Sequence, residues 1–415
     1  MSCNEWKEYK LDEVYTITNG LSKKRDEFGF GYEFLAFTDV FNNYFIPNTL
    51  SNLVNSTEKE REKCSIKRGD VFLTRTSEKL DELGRSCVAL KDYPNATFNG
   101  FTKRLRPIGN VEILPEYVGY YFRSPKFRNA VTSMSSMTTR ASLNNDMISV
   151  LTITVPPLEE QEKIANILSS LDDKIELNND INKTLEEMAQ AIFKRWFVDF
   201  EFPNADGKPY KSSGGEMVES DLGMIPKGWE VGTLKDLLDN IKVSVKAGKD
   251  LKGMPYLPID TIPMKKLGIN TYKSWEEAKS SLIKFNKNDI LLGAMRVYFH
   301  RVVVVPFEGI TRSTCFVLRP KNSVDHSFLT LKLFEEDTIS YANSMSKGTT
   351  MPYAVWENGL ADMPTVIPNT VIRKIFDERI KNIIEAISTS CFEQYKLVEL
   401  RDTLLPKLMS GEIDV

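Results

Sequence analysis

The chain has 415 residues, 41% of them apolar, and a formal net charge of −3. That much apolar material supports two or three packed domains and excludes global disorder. A near-neutral balance also excludes a uniformly basic chain, so any surface for nucleic acid has to be local.

The five cysteines (Cys3, Cys64, Cys87, Cys315 and Cys391) are odd in number and far apart. With only His300 and His326 beside them, neither a disulfide framework nor a zinc site is expected. MSCNEWKEYK at the start lacks an apolar signal region, and no run reaches the length of a membrane span. The expectation is a soluble cytoplasmic protein without membrane contact.

Residues 1–154 form a first mixed block. Its short apolar runs Phe34–Phe37, Val71–Leu73 and Leu151–Val155 read as strands, and Tyr117–Phe127 as a short helix. Basic and small polar clusters punctuate it: Lys23, Lys24 and Arg25; Arg75, Thr76 and Lys79; Lys103 and Arg104; Thr138, Thr139 and Arg140. Arg and Lys neutralise phosphates, and Arg can reach guanine bidentately, so these are candidate DNA-binding residues beside the plainer reading of a solvated surface.

Residues 155–200 follow as one long helix. Pro157 suits its first turn, and Glu159, Glu160 and Glu162 suit the positive end of its dipole. Its apolar positions keep strict three–four spacing, the seam of a coiled coil: Ile164, Leu168, Leu171, Ile175, Asn178, Asn182, Leu185, Ala189, Ile192 and Trp196. Asn178 and Asn182 interrupt the seam at its middle. Residues 201–228, rich in Gly, Pro, Ser and Asp and without periodicity, read as a linker.

Residues 229–366 form a second mixed block. Tyr256–Ile259, Ile290–Leu292, Arg301–Val305 and Cys315–Leu318 read as strands and Phe328–Ser340 as a helix. Its candidate DNA contacts are Lys242, Lys246, Arg296, Tyr298, Lys347, Thr349 and Thr350. Residues 367–415 repeat the long helix. Adding 212 to the first seam gives Phe376, Ile380, Ile383, Ile387, Ser390, Gln394, Leu397, Arg401, Leu404 and Leu408, with the polar step at the same place.

The whole chain is thus a duplication. Trp6 matches Trp229, both expected as core aromatics; Leu105-Arg106-Pro107 matches Leu318-Arg319-Pro320; Met134-Ser135 with Thr138-Thr139 matches Met345-Ser346 with Thr349-Thr350. Arg75 and Arg296 each follow an apolar strand opened by an Asp, at what read as corresponding places. Both blocks are read as α+β. A polar layer that meets itself pins a register, because an unpartnered buried amide costs about 1–3 kcal/mol. Antiparallel helices would then set Asn178 opposite Gln394 and Asn182 opposite Ser390.

Catalytic machinery is not evident. The only Pro-Pro, Pro156-Pro157, opens a helix and is no methyltransferase loop, and no phosphate-binding GxxxxGK[ST] loop occurs. Asp260 with Glu277 and Lys279 mimics a metal-dependent nuclease pattern, but it is short and lacks a counterpart in the first block. Two rival classes remain, a stand-alone metal-dependent nuclease and a non-DNA coiled-coil scaffold.

PPLEEQEKI at 156–164, FVDF at 197–200, GKPYKSSGGEMVESDLGMIPKGWEV at 207–231 and LLPKLMSGEIDV at 404–415 resemble type I restriction–modification DNA specificity subunits. The second helix start departs from that pattern, with Asn369-Thr370-Val371-Ile372 in place of Pro-Leu-Glu-Glu. The resemblance implies two similar α+β target-recognition domains separated by two long antiparallel coiled-coil helices, with pseudo-two-fold symmetry. It implies that each domain reads one half of a bipartite site in double-stranded DNA. It implies docking of two methyltransferase subunits and joining of restriction subunits, a non-catalytic role for this chain, and no cofactor of its own. The methyl donor, ATP and magnesium would belong to the partners.

Overall fold

Each block opens and closes on the same strand pair. In the computed structural model, which describes residues 6–79, 82–134, 141–279 and 281–415, Lys7–Lys10 pairs antiparallel with Thr152–Val155. Glu230–Thr233 pairs in the same way with Pro364–Ile367. The closing strand of each pair leads directly into a long helix. By contacts the chain divides into two units, residues 1–173 with 398–415 and residues 174–397.

In the first unit a four-stranded antiparallel sheet runs in the order 15–19, 102–107, 71–74, 86–88. Val71–Thr74 is central and buried at every position, which is why its sequence shows no alternation. A second sheet orders 52–54, 28–35 and 97–98. The strand expected over Phe34–Phe37 ends at Leu35. The Asp39 carboxylate accepts the Ala36 N–H at 2.9 Å and starts a helix over Phe37–Asn42 instead. The single helix expected over 117–127 is two, Pro115–Tyr121 and Pro125–Met134. Pro125 cannot continue a helix and disfavours helical backbone at the residue before it, so a new helix begins there.

The second unit repeats the plan. Its sheet order is 238–240, 315–320, 290–293, 302–304, again antiparallel. A companion sheet orders 244–245, 282–285, 309–312 and 256–257. The helix expected over 328–340 is likewise two, His326–Phe334 and Glu336–Ser344, broken at the extended residue Glu335. Residues 201–228, expected as a linker, are ordered. Met217–Ser220 pairs with Gly223–Pro226, and Phe202 stacks on Tyr210 and Trp229 with centroids 4.5 and 4.9 Å apart. Composition reported the turns there and hid the aromatic anchors.

The duplication reaches individual hydrogen bonds. Arg106 donates Nε and Nη2 to the two oxygens of buried Asp70 at 2.7 and 2.6 Å. Arg319 grips Asp289 in the same bidentate way at 2.7 and 2.8 Å. These pairs explain the repeated Leu-Arg-Pro. At the helix starts, Gln161 donates to the Pro156 and Glu112 carbonyls. Arg373, at the position 212 further on, donates to the Pro368 carbonyl and pairs with Asp325. The departure in sequence at the second helix start therefore keeps the same anchor with different chemistry.

The long helices span Leu158–Phe193, followed by a π-helical turn to Val198, and Thr370–Ser410. In the first unit Ile164, Leu168 and Leu408 are buried in one core with Leu105 and Tyr117. In the second, Trp196, Phe376 and Ile380 share a core with Trp229 and Phe328. Burying each such side chain contributes about 1.5–3 kcal/mol. Leu171, Ile175, Leu185, Ile192, Ile383, Leu397 and Leu404 are half-buried, and Ile387 is buried.

Within each unit the helix segments run antiparallel. In the second, Asn178 Nδ2 donates to Glu393 Oε2 at 2.9 Å and Asn182 Nδ2 to Cys391 Sγ at 3.3 Å. Gln394 Nε2 donates to the Ile175 carbonyl at 3.2 Å. In the first, Arg401 donates to Asp172 at 2.6 Å. The expected side-chain pairs Asn178–Gln394 and Asn182–Ser390 are not made: Asn178 bonds Glu393 and Asn182 bonds Cys391, one residue to either side of the expected partners, so the register is kept and the partners differ. The distal helix turns its buried face from Ile383, Ser390 and Leu404 onto Ile384, Cys391 and Leu405, which are 3, 7 and 5% exposed. A helix of 3.6 residues per turn drifts against a 3.5-residue seam, and the drift moves the contact by one position.

Candidate nucleic-acid interface

In the first block the chain leaves the central strand at Arg75 and meets two other segments. The Arg75 N–H donates to the Phe101 carbonyl at 2.9 Å, and the Leu143 N–H donates to the Arg75 carbonyl at 2.8 Å. Thr76 and Ser77 pair with Ser142 and Ala141. Phe101 is 57% exposed at this edge. Arg75 and Thr76 are half-buried here, and Lys79 is exposed and paired with Glu82 at 3.0 Å.

Lys103 lies under the same edge. Its ammonium donates to Asn19 Oδ1 at 2.5 Å and Asn145 Oδ1 at 2.6 Å. Burial, and then the Arg75 guanidinium, lower its pKa below the usual lysine value. Its neighbour Arg104 points to the opposite face of the strand, as alternation requires. Arg104 is buried, donates to the Ser65 carbonyl at 2.6 Å and packs over Phe98. The expectation that Arg104 contacts DNA is corrected: its donors serve the core.

Lys23 is also engaged, between Glu27 and Glu60 at 3.1 and 3.0 Å, which raises its pKa. Lys24 and Arg25 are exposed on a turn that leads into Phe28, Phe30 and Tyr32. These three rings are 38, 52 and 42% exposed, and Arg61 stacks over Tyr32 at 3.8 Å. Thr138, Thr139 and Arg140 lie outside the described residues.

The second block builds its edge from the turn after strand 290–293 and the segment 345–353. The Arg296 N–H donates to the Pro352 carbonyl at 2.7 Å, and Met295 and Lys347 both bridge to Tyr353. Arg296 adopts a left-handed backbone, with φ 50°. Tyr298, Tyr353, Met351 and Met345 are 48, 48, 51 and 40% exposed around it. Lys347, Thr349 and Thr350 are exposed on the same segment. Lys242 reaches Glu357 at 3.6 Å, and Lys246 is exposed on the strand end beyond it.

The correspondence of Arg75 with Arg296 needs correction. In the second block it is Ala294 that donates to the Thr314 carbonyl and accepts from the Ala354 N–H. Arg75 is therefore matched by Ala294, and Arg296 lies two residues further on. The two blocks share a scaffold and differ in what they carry on it. Phe101, Asn19, Asn145, Met351 and Tyr353 were not singled out from sequence, since isolated loop residues carry no periodic signal. Asp260, of the nuclease-like pattern, pairs with Lys273 at 2.9 Å.

A model of the type I restriction modification DNA specificity domain matches residues 4–187 and 226–369. The chain belongs to this family. This specificity subunit is similar to the HindI specificity subunit of Haemophilus influenzae, 26% identical over 99% of this chain and 100% of the relative. It is also similar to the MjaIX specificity subunit of Methanocaldococcus jannaschii, at 28% identity over 99% of this chain and 94% of the relative. Its fold resembles the S subunit of M. genitalium, with a TM-score of 0.59 and 13% identity over 97% of this chain and 96% of the other. As a specificity subunit of a type I restriction–modification system, the chain recognises DNA. No helix among the described residues is long and apolar enough to cross a membrane.

Proposed function

We propose that each block reads one half of a bipartite double-stranded DNA site, through the edges built around Arg75 and Arg296. The observation that carries this is a duplicated scaffold presenting unlike side chains at equivalent edges, as two readers of unlike half-sites require. Helices of 36 and 41 residues extend about 54 and 62 Å, at 1.5 Å per residue. On this reading they fix the half-site spacing, so that two short contacts act as one long site through effective concentration. They also dock two methyltransferase subunits, and restriction subunits join that complex in the cytoplasm. The chain itself does no chemistry, and the methyl donor, ATP and magnesium belong to its partners.

The test is a block exchange. Residues 229–355 are replaced by the matching block of a relative, and methylated bases are mapped in cells carrying the modification subunits. One half of the motif is expected to change. A change in both halves, or in neither, would overturn modular reading.

A further inference from the structure

The arrangement around Lys103 has no structural necessity, and the second block shows this. Strand register sets Lys103 opposite Leu73 and Phe316 opposite Leu292, so Phe316 holds the place of Lys103. Continued past Asn240–Leu318 and the Ile241–Val317 hydrogen bond, the same register sets Lys242 in the place of Asn19. The matching Leu143 and Ala354 hydrogen bonds set Trp356 in the place of Asn145. Phe316 and Trp356 make an edge-to-face aromatic pair, with centroids 6.0 Å apart. The scaffold thus accepts an apolar pair where the first block places a lysine that is 6% exposed. A buried charge is costly unless compensated, and well-packed apolar groups are commonly as stable or more so.

The compensation in the first block is incomplete. Among the described residues no carboxylate pairs with Lys103; its partners are two neutral amides. The nearby charge that acts on it is a second cation, Arg75. The Arg75 Nε is buried and has no hydrogen-bond partner among the described residues. Lysine only donates, so each asparagine must turn its oxygen inward. Each Nδ2 is then left on the far side of its amide, and Asn19 and Asn145 are both exposed residues. The two amides thus turn donors outward, beside the cations Lys103 and Arg75.

We propose that Asn19, Asn145 and Arg75, held and charged by Lys103, form a cradle for one phosphate oxygen of the DNA backbone in the half-site of the first block. The inference rests on the reading of that block as a DNA reader. A bidentate adenine contact by asparagine needs the amide oxygen as well as the nitrogen, and here both oxygens are taken. Lys103 is a positioning residue, and the contacts are made by the amides and Arg75.

The experiment uses the full chain assembled with its modification subunits and a duplex of fixed sequence, with affinity measured across a salt series. Lys103→Met is expected to weaken binding and to lower the salt slope by about 0.9, the value of one phosphate. Its melting temperature stays equal or rises, and the methylated motif stays the same. Asn145→Asp supplies Lys103 with an internal counter-ion, and is expected to raise the melting temperature while weakening binding. Unchanged salt slopes in both variants, with wild-type binding intact, would overturn the cradle and leave the DNA reading standing. A motif relaxed at one position with an unchanged slope would make the site a base reader, and a fall in melting temperature with Lys103→Met would make Lys103 a structural residue. Absence of salt-dependent duplex binding in the wild-type complex would sink the DNA reading itself, and the cradle with it.

Discussion

Replacing Arg106 by leucine removes one partner of an ion pair whose other member, Asp70, is fully buried. Breaking a buried pair on one side costs about 3–5 kcal/mol, because a charge is left without compensation. Asp70 keeps the Lys67 N–H as a donor at 2.8 Å, and Arg106 is 24% exposed. The lower end of the range, about 3 kcal/mol, is therefore expected. Hydrogen exchange resolved by peptide is the assay, since the two units need not unfold together. Protection in residues 15–19, 71–74 and 102–107 should fall about 100-fold, at about 1.4 kcal/mol per decade, and residues 290–293 and 315–320 should keep theirs. The double variant Asp70→Leu/Arg106→Leu should recover most of the loss, because apolar replacements of buried pairs are often neutral. Unchanged exchange in Arg106→Leu, or equal losses in both blocks, would show that the Arg106–Asp70 pair does not hold the first sheet.

Other variants test other parts. Asn182→Cys should form a disulfide with native Cys391 inside one chain under oxidation, seen as a mobility shift that a reductant reverses; a cross-link at Ser390→Cys in its place, in a background without Cys391, would contradict the Asn182–Cys391 contact. Leu168→Ala should cost about 2–5 kcal/mol, the range for a large-to-small change in a full core, read as lost exchange protection in the first unit; a loss under 1 kcal/mol would mean the seam is not packed there. Glu186 is buried and accepts the Leu267 N–H at 2.7 Å, and burial raises its pKa above the ordinary carboxylate value. Such a shift costs stability only above the unfolded pKa, growing as pH rises toward the folded one and levelling off beyond it. Glu186→Gln should therefore stabilise the second unit at pH 7 and have no effect at pH 3; an equal effect at both would exclude the titration.

Much of the fold was legible because periodic patterns report burial. The two seams gave both helices and their shared polar step, and the repeated Leu-Arg-Pro marked a residue pair whose role appeared only with Asp70 and Asp289 in place. The seam partners of Asn178 and Asn182 each differ by one residue, in opposite directions, because spacing does not reveal how far a straight helix drifts from the seam. At the site, basic clusters overstated what is free. Lys23, Lys79 and Lys242 have carboxylate partners, and Arg104 faces the core. The pairing of Arg75 with Arg296 failed because a two-residue slip in a loop leaves no trace in composition. Asn19 and Asn145, 126 residues apart in sequence, are joined only through Lys103.

The proposal is that this one chain sets both halves of the DNA site. Its most direct test maps methylated bases in cells that carry the modification subunits with and without the chain, and with no other methyltransferase. One bipartite motif of two short specific halves around a fixed unspecified spacer is expected, lost entirely when the chain is removed. A single continuous motif, or a motif that persists without the chain, would contradict it.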